Sequence, residues 1–200
     1  MWLAAEPLVL ASRSAVRRTL LEAADVPVIV RAADIDERRL EAENKSMSAV
    51  DIAARLALAK ASAVAKSLPG RLVLGADQIL TLEGERFAKP ADRAAARAQL
   101  RAFAGRTHEL HSAIALVQDA AALFQHADSA RLTMRAFSDQ FLDRYLDLVG
   151  AAATASVGAY QLEGPGIQLF ERIEGDYFTI LGLPLLPALG FLRRHGCLMA

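Results

Sequence analysis

The sequence predicts an α/β fold, and three observations carry that prediction. Short apolar runs that read as buried strands recur at Leu8–Ala11, Val26–Val30 and Arg71–Ala76. Helical patterns lie between them, at Arg17–Ala24, Ser48–Ser67 and Asp92–Ala104. No linker or repeat interrupts the interleaving, so one domain, or two lobes sharing one sheet, accounts for all 200 residues.

Each element follows from local chemistry. Leu8–Ala11 follows a proline and is wholly apolar, as a strand covered on both faces must be. Ser12-Arg13-Ser14 offers helix caps, and Leu20, Leu21 and Ala24 then point inward. Asp34–Ser46 is polar and charged and reads as a loop. Ser48–Ser67 places Val50, Ala53, Ala57, Ala61 and Val64 on one helical face, and Pro69-Gly70 stops it. Arg71–Ala76 ends at Gly75-Ala76-Asp77. Ile79–Leu82 and Arg86–Ala88 flank Glu83-Gly84-Glu85 as a hairpin. Asp92 caps a helix that Gly105 ends. Thr107–Val117 and Arg131–Ala136 read as paired strands. Ser138 caps a helix to Val149 with Phe141, Tyr145 and Leu148 on one face. The segment from Gly158 to Gly182 holds five of the chain's 12 glycines and reads as tight turns, before a closing helix at Leu186–His195.

Composition excludes several functions. With 54% hydrophobic residues, 23 basic and 23 acidic groups, the chain is neither disordered nor endowed with a net field for nucleic acid or anionic lipid. The longest apolar stretch, Thr179–Leu192, is broken by two glycines and two prolines and falls short of the roughly 20 residues a membrane span requires. The N-terminus has no basic region and carries Glu6, so no secretory signal is read and the expected location is the cytoplasm. The single Cys197 forms no internal disulfide, which suits a reducing compartment. Alanine occurs 41 times and Arg outnumbers Lys 19 to 4, a tilt we ascribe to genome composition.

Three groups could carry chemistry. The turn from Leu8 into the following helix offers backbone N–H groups, the hydroxyls of Ser12 and Ser14, and the guanidinium groups of Arg17 and Arg18, a set suited to phosphate. It lacks the glycine patterns of known phosphate loops, and a capped helix with solvated arginines explains it equally well. Asp77 directly follows a buried strand, where ligands gather in open α/β sheets; a turn aspartate bonding its own backbone is the plainer explanation. Asp36-Glu37, Lys60 and Lys89 complete a parts list for phosphoryl chemistry: carboxylates for a hard divalent cation and ammonium groups for phosphate charge. His108 and His111, three apart on a strand, point to opposite faces and make a poor metal pair.

Taken together, these segments resemble one family. LVLASRS with RRTLLEAADV, then Ile35-Asp36-Glu37, Leu58-Ala59-Lys60-Ala61, Gly75-Ala76-Asp77-Gln78, Lys89-Pro90, Gly105-Arg106-Thr107-His108, Gly158-Ala159-Tyr160, the run Gly164–Tyr177 and Gly182-Leu183-Pro184-Leu185 resemble, in order, the motifs of the Maf-type nucleoside triphosphate pyrophosphatases. The resemblance implies a Maf/ITPase-like fold of two lobes around a cleft, a cytoplasmic location and frequent homodimers. It implies hydrolysis of a nucleoside triphosphate between the α and β phosphates, dependent on Mg²⁺ or Mn²⁺. By the same resemblance Asp77 is the proton acceptor, and Glu37, Lys60 and Lys89 are polar active-site groups. Asp77 and Glu37 would hold the metal, and Ser12, Ser14, Arg17 and Arg18 would contact phosphate. Val16, Gln78 and Glu163 fall at positions tied to substrate choice. Gln78 and Glu163 match the branch that acts on 7-methyl-GTP, whereas Val16 stands where that branch has a tryptophan that could stack on a base. A non-catalytic nucleotide-binding regulator of cell division is the alternative. The pairing of carboxylates with lysines favours the enzyme.

Overall fold

The computed structural model describes residues 1–44 and 46–200 and has the α/β architecture expected from the sequence. Lys45 lies outside the described residues. In chain order the elements are β1 (Leu8–Leu10), α1 (Ala15–Ala23), β2 (Val28–Val30), α2 (Glu37–Glu43), α3 (Ala49–Ala65), β3 (Leu72–Leu82), β4 (Glu85–Phe87), α4 (Arg93–Phe103), β5 (Thr107–Gln118), β6 (Ala121–Met134), α5 (Asp139–Val149), β7 (Phe170–Glu174), α6 (Tyr177–Ile180) and α7 (Leu185–Arg194), with short 3₁₀ segments between α5 and β7. The strands form one mixed sheet in the order β2-β1-β3-β5-β6-β7, and β4 pairs with β3. β1 is parallel to both β2 and β3, whereas β3–β4 and β6–β7 are antiparallel.

The chain divides into two compact units. The first comprises Met1–Gln78, His111–Asp128 and Asp176–Ala200. Its core gathers Leu8 and Leu10 of β1, Leu74 and Ala76 of β3, Ile114 and Leu116 of β5, and Leu183, Leu185, Ala188 and Leu192 around α7. Each of these side chains contributes roughly 1.5–3 kcal/mol of burial where it is large and aliphatic. Gly75 packs directly on α3: a Cβ there would stand 2.1 Å from the Ala57 carbonyl oxygen and 2.9 Å from the Ala61 Cβ. Only glycine permits that approach.

The second unit comprises Ile79–Leu110 and Ser129–Gly175. Helices α4 and α5 face each other across ion pairs from Arg97 to Asp143 and from Arg93 to Asp147. Its interior holds an aromatic group in which His108 stacks on Phe103, 5.1 Å between centroids, beside Tyr160 and Phe170. His108 is fully buried, and burial lowers its pKa to about 4. Its Nε2 lies 2.7 Å from the Tyr160 hydroxyl, whereas Nδ1 has no partner.

Several expectations are corrected. Asp34–Ser46 is not all loop: Asp36 accepts from Arg39 N at 3.0 Å and caps α2, which also carries an Arg39–Glu43 pair. The segment has good helix formers but no apolar stripe, so its period was invisible. The two strands expected at 71–76 and 79–82 are one, β3, running through Asp77 without a turn. The hairpin turn is Glu83-Gly84, both at positive φ as a tight two-residue connection requires. Strand β6 starts ten residues before Arg131. In α5 the buried residues are Leu142, Tyr145 and Leu146, and Leu148 is exposed. Strand β7 and helix α6 occupy part of the segment read as turns.

Candidate functional site

The site in the first unit begins where β1 stops and β3 continues. The last parallel pair is Leu10↔Leu74, closed by Ala11 N donating to the Leu74 carbonyl at 2.8 Å. Beyond that point β3 has lost its neighbour on this side. The Ala76 carbonyl is taken instead by Arg17 Nη1 of α1 at 2.8 Å. The same Nη1 donates to Ser12 Oγ at 3.1 Å, and Arg17 Nε donates to the Gly182 carbonyl at 2.7 Å. Thus three of the five guanidinium N–H donors serve the protein itself. Burial pulls the Arg17 pKa below the ordinary arginine value, with the charges of Asp77 and Glu37 opposing.

Asp77, 7% exposed, is next in the strand. Its Oδ1 accepts from Lys60 Nζ of α3 at 2.6 Å, and the same ammonium donates to Glu37 Oε2, on the first turn of α2, at 2.9 Å. Lys60 therefore gathers two carboxylates and retains a third N–H. Burial pushes the Asp77 carboxyl above the usual carboxylate range. Lys60 and then Arg17 pull it back, and Glu37 adds to the rise. A carboxylate raised by burial yet held beside two cations is a stronger base than one in water and still has its charge stabilised.

Around this centre, the helix turn expected to receive phosphate is built as the sequence suggested. Ser14 caps α1, its Oγ accepting from Arg17 N at 3.4 Å, and Ser12 Oγ accepts from Ser14 N at 3.2 Å. Both hydroxyls keep their own protons to donate. Arg18 is turned elsewhere: Nε pairs with Glu22 at 2.7 Å on the exposed face of α1. Val16 is half-buried on α1.

Gln78 is committed through its nitrogen. Nε2 donates to Ser112 Oγ at 3.0 Å and to the carbonyls of Ile180 and Thr179 at 2.9 and 3.2 Å, and Ser112 Oγ–H donates to the Thr179 carbonyl at 2.7 Å. Three oxygen acceptors around one nitrogen fix the amide orientation. Lys89 and Glu163 belong to the second unit, where Lys89 is exposed after β4 and Glu163 is exposed in the turn after Leu162.

The structure thus brings Glu37, Lys60 and Asp77 into direct contact with Arg17 and Ser12 beside them. Ser112, Thr179, Gly75 and Gly182 were not anticipated. Ser112 and Thr179 are small polar residues within apolar runs. The two glycines stand in the motifs that carry the family resemblance, where no packing role was read from them.

A family model described as "Maf-like protein" matches residues 7–195. A nucleoside triphosphate pyrophosphatase of Rhodopseudomonas palustris is 56% identical over 199 residues, covering 99% of this chain and 98% of its own. A 7-methyl-GTP pyrophosphatase of Mesorhizobium japonicum is 53% identical over 195 residues, covering 96% of this chain and 98% of its own. A HAM1 protein from Coxiella burnetii, at 19% identity and a TM-score of 0.42 over 64% of this chain and 72% of its own, is too distant to carry an argument.

Proposed function

The chain belongs to the Maf-like protein family, and from that premise we propose that it is a nucleoside triphosphate pyrophosphatase, cleaving the α–β phosphate bond to give a monophosphate and pyrophosphate. The observation that carries this reading is the contact of one ammonium, Lys60, with two carboxylates, Asp77 and Glu37, beside the Arg17 guanidinium. A triphosphate needs cations for its charge and a carboxylate to orient water for in-line attack, and this cluster has both kinds of group.

The chemistry follows residue by residue. The amides at the start of α1 and the hydroxyls of Ser12 and Ser14 receive phosphate oxygens, which the positive end of the helix favours. Lys60 presents its third N–H to the phosphate while holding both carboxylates. Asp77 accepts a proton from the attacking water, helped by the rise that burial gives its carboxyl. The oriented cations then stabilise the charge that develops on the transferring group. Lys89 is assigned by the family resemblance to the same phosphate charge, and Val16, Gln78 and Glu163 to base selection.

We further infer that Asp77 and Glu37 hold a divalent cation, Mg²⁺ or Mn²⁺. Lys60 takes one oxygen of each carboxylate, and the second oxygens suit a hard ion that takes its remaining ligands from phosphate and water. Among the described residues, no group of three His, Cys, Asp or Glu is placed to hold a metal ion. Such an ion, when bound, would supply Lewis-acid polarisation of the phosphate oxygens.

For the base, 7-methyl-GTP is the substrate we propose. The family resemblance assigns Gln78 and Glu163 to base selection as in the 7-methyl-GTP branch, and a negative charge such as that of Glu163 suits a cationic methylated ring. No helix among the described residues is long and apolar enough to cross a membrane. The cytoplasm is the location we propose from the family resemblance. A homodimer is proposed from the resemblance and is checked by light scattering. Pyrophosphate release from a panel of nucleotides that includes 7-methyl-GTP, with and without Mg²⁺, tests the activity. Metal-dependent release from at least one is expected. Release from none would overturn the reading.

A further inference from the structure

Arg17 reads from sequence as a phosphate ligand, but its hydrogen bonds describe another task. Strand β3 outruns β1 at Leu74, and the next carbonyl on that side belongs to Ala76, the residue joined to Asp77. An unpaired strand carbonyl would leave the Ala76–Asp77 peptide free to tilt. Arg17 Nη1 takes that carbonyl at 2.8 Å and so stands in for the missing neighbour strand. Its Nε holds the Gly182 carbonyl at 2.7 Å, and Nη1 also holds Ser12 Oγ at 3.1 Å. One planar group thereby ties together the end of β1, the peptide before Asp77 and the turn before α7. Gly182 itself is held at φ +86°, a backbone conformation that L side chains rarely adopt. Such a site needs a rigid fork with several donors in one plane, which arginine has and lysine lacks.

We propose that Arg17 is a positioning residue, which acts on the reaction by fixing the backbone that carries Asp77. This rests on the proposed pyrophosphatase activity. A misplacement of a reacting group by about 1 Å can cost on the order of 100-fold in rate, and that is the scale expected here.

The test is Arg17→Lys in the full chain, assayed by pyrophosphate release well below its melting temperature and corrected for folded fraction. A phosphate ligand would keep its charge in this variant and lose mainly KM. A positioning residue loses kcat. We expect kcat to fall by about 100-fold with KM within about threefold. A kcat loss that does not exceed the KM change by at least tenfold overturns the proposal. If the variant does not fold, the wild-type protein decides through the ¹⁵N–¹H signal of Arg17 Nε. Protection from exchange without nucleotide, and no displacement by an α,β-methylene triphosphate analogue, are expected. Rapid exchange in the free protein, or a signal that moves only when the analogue binds, overturns it. A wild type that turns over no nucleotide sinks the proposed function instead, and is thereby distinguished from a failure of Arg17 alone.

Discussion

Lys60 Nζ lies 2.6 Å from Asp77 Oδ1 with only 11% and 10% of the two side chains exposed, and it lies 2.9 Å from Glu37 Oε2. The ammonium is therefore what permits two carboxylates to share one place. Replacing it by Met removes the charge that most opposes the burial-driven rise of Asp77. Lys60→Met is expected to lower kcat/KM by about 100- to 1000-fold and to move the acid limb of the pH–rate profile to higher pH. An acid limb that stays in place would show that Asp77 is not the titrating base.

Asp77 itself trades stability for charge. Its folded pKa is raised above that of the unfolded chain, so the folded state holds its proton longer. Stability then falls as pH rises through the window between the unfolded and folded values, and the cost is in place at neutral pH. Asp77→Asn is expected to abolish turnover without lowering the melting temperature at pH 7. At pH 4 any gain over wild type should shrink. A melting point several degrees lower at pH 7 would contradict this.

Gly75 sets the distance between α3 and β3. An added Cβ would overlap the Ala57 carbonyl oxygen at 2.1 Å and the Ala61 nitrogen at 2.8 Å, and Lys60 is carried between those residues. Gly75→Ala should destabilise the protein by about 1–3 kcal/mol or more through overpacking. It should also lose activity beyond that explained by unfolding, because Lys60 retreats from Asp77. Urea unfolding and turnover of the folded fraction measure the two effects separately.

Arg18 offers a contrast with Arg17. Its pair with Glu22 is exposed on both sides, at 57% and 43%. Arg18→Ala is expected to change stability by less than about 0.5 kcal/mol and KM by less than about threefold. A tenfold rise in KM would mean that Arg18 leaves Glu22 to meet phosphate.

His108 makes the second unit acid-sensitive. Burial holds its pKa at about 4, against 6.5 for an open histidine. The unfolded chain takes up the proton first, so stability is full above pH 6.5 and is lost as pH falls toward 4. The loss totals about 3 kcal/mol by linkage. His108→Phe should flatten that window in urea titrations. It should also lose roughly 1–3 kcal/mol at neutral pH, because the Tyr160 hydroxyl is left unpaired.

The sequence by itself determined the α/β class, the caps at Asp92 and Ser138, a cap in Ser12–Ser14 and a hairpin around Glu83-Gly84, whereas the structure shortened that turn to two residues. These depend on residues close in the chain, where period and turn chemistry act directly. Motif order also identified Glu37, Lys60 and Asp77 as a set, although their separations of 17 and 23 residues say nothing of contact. Only the tertiary structure decided that one ammonium joins both carboxylates, since helix α3 must lie flat on Gly75 before Lys60 can reach. It alone turned Arg17 inward and Arg18 outward, neighbours identical in chemistry, because a helix sends successive side chains about 100° apart. It also showed that Asp77 lies within a continuous strand. The break beside it is the end of β1, 67 residues earlier in the chain, which leaves the strand there without a ladder partner, and no local pattern around Asp77 could record that.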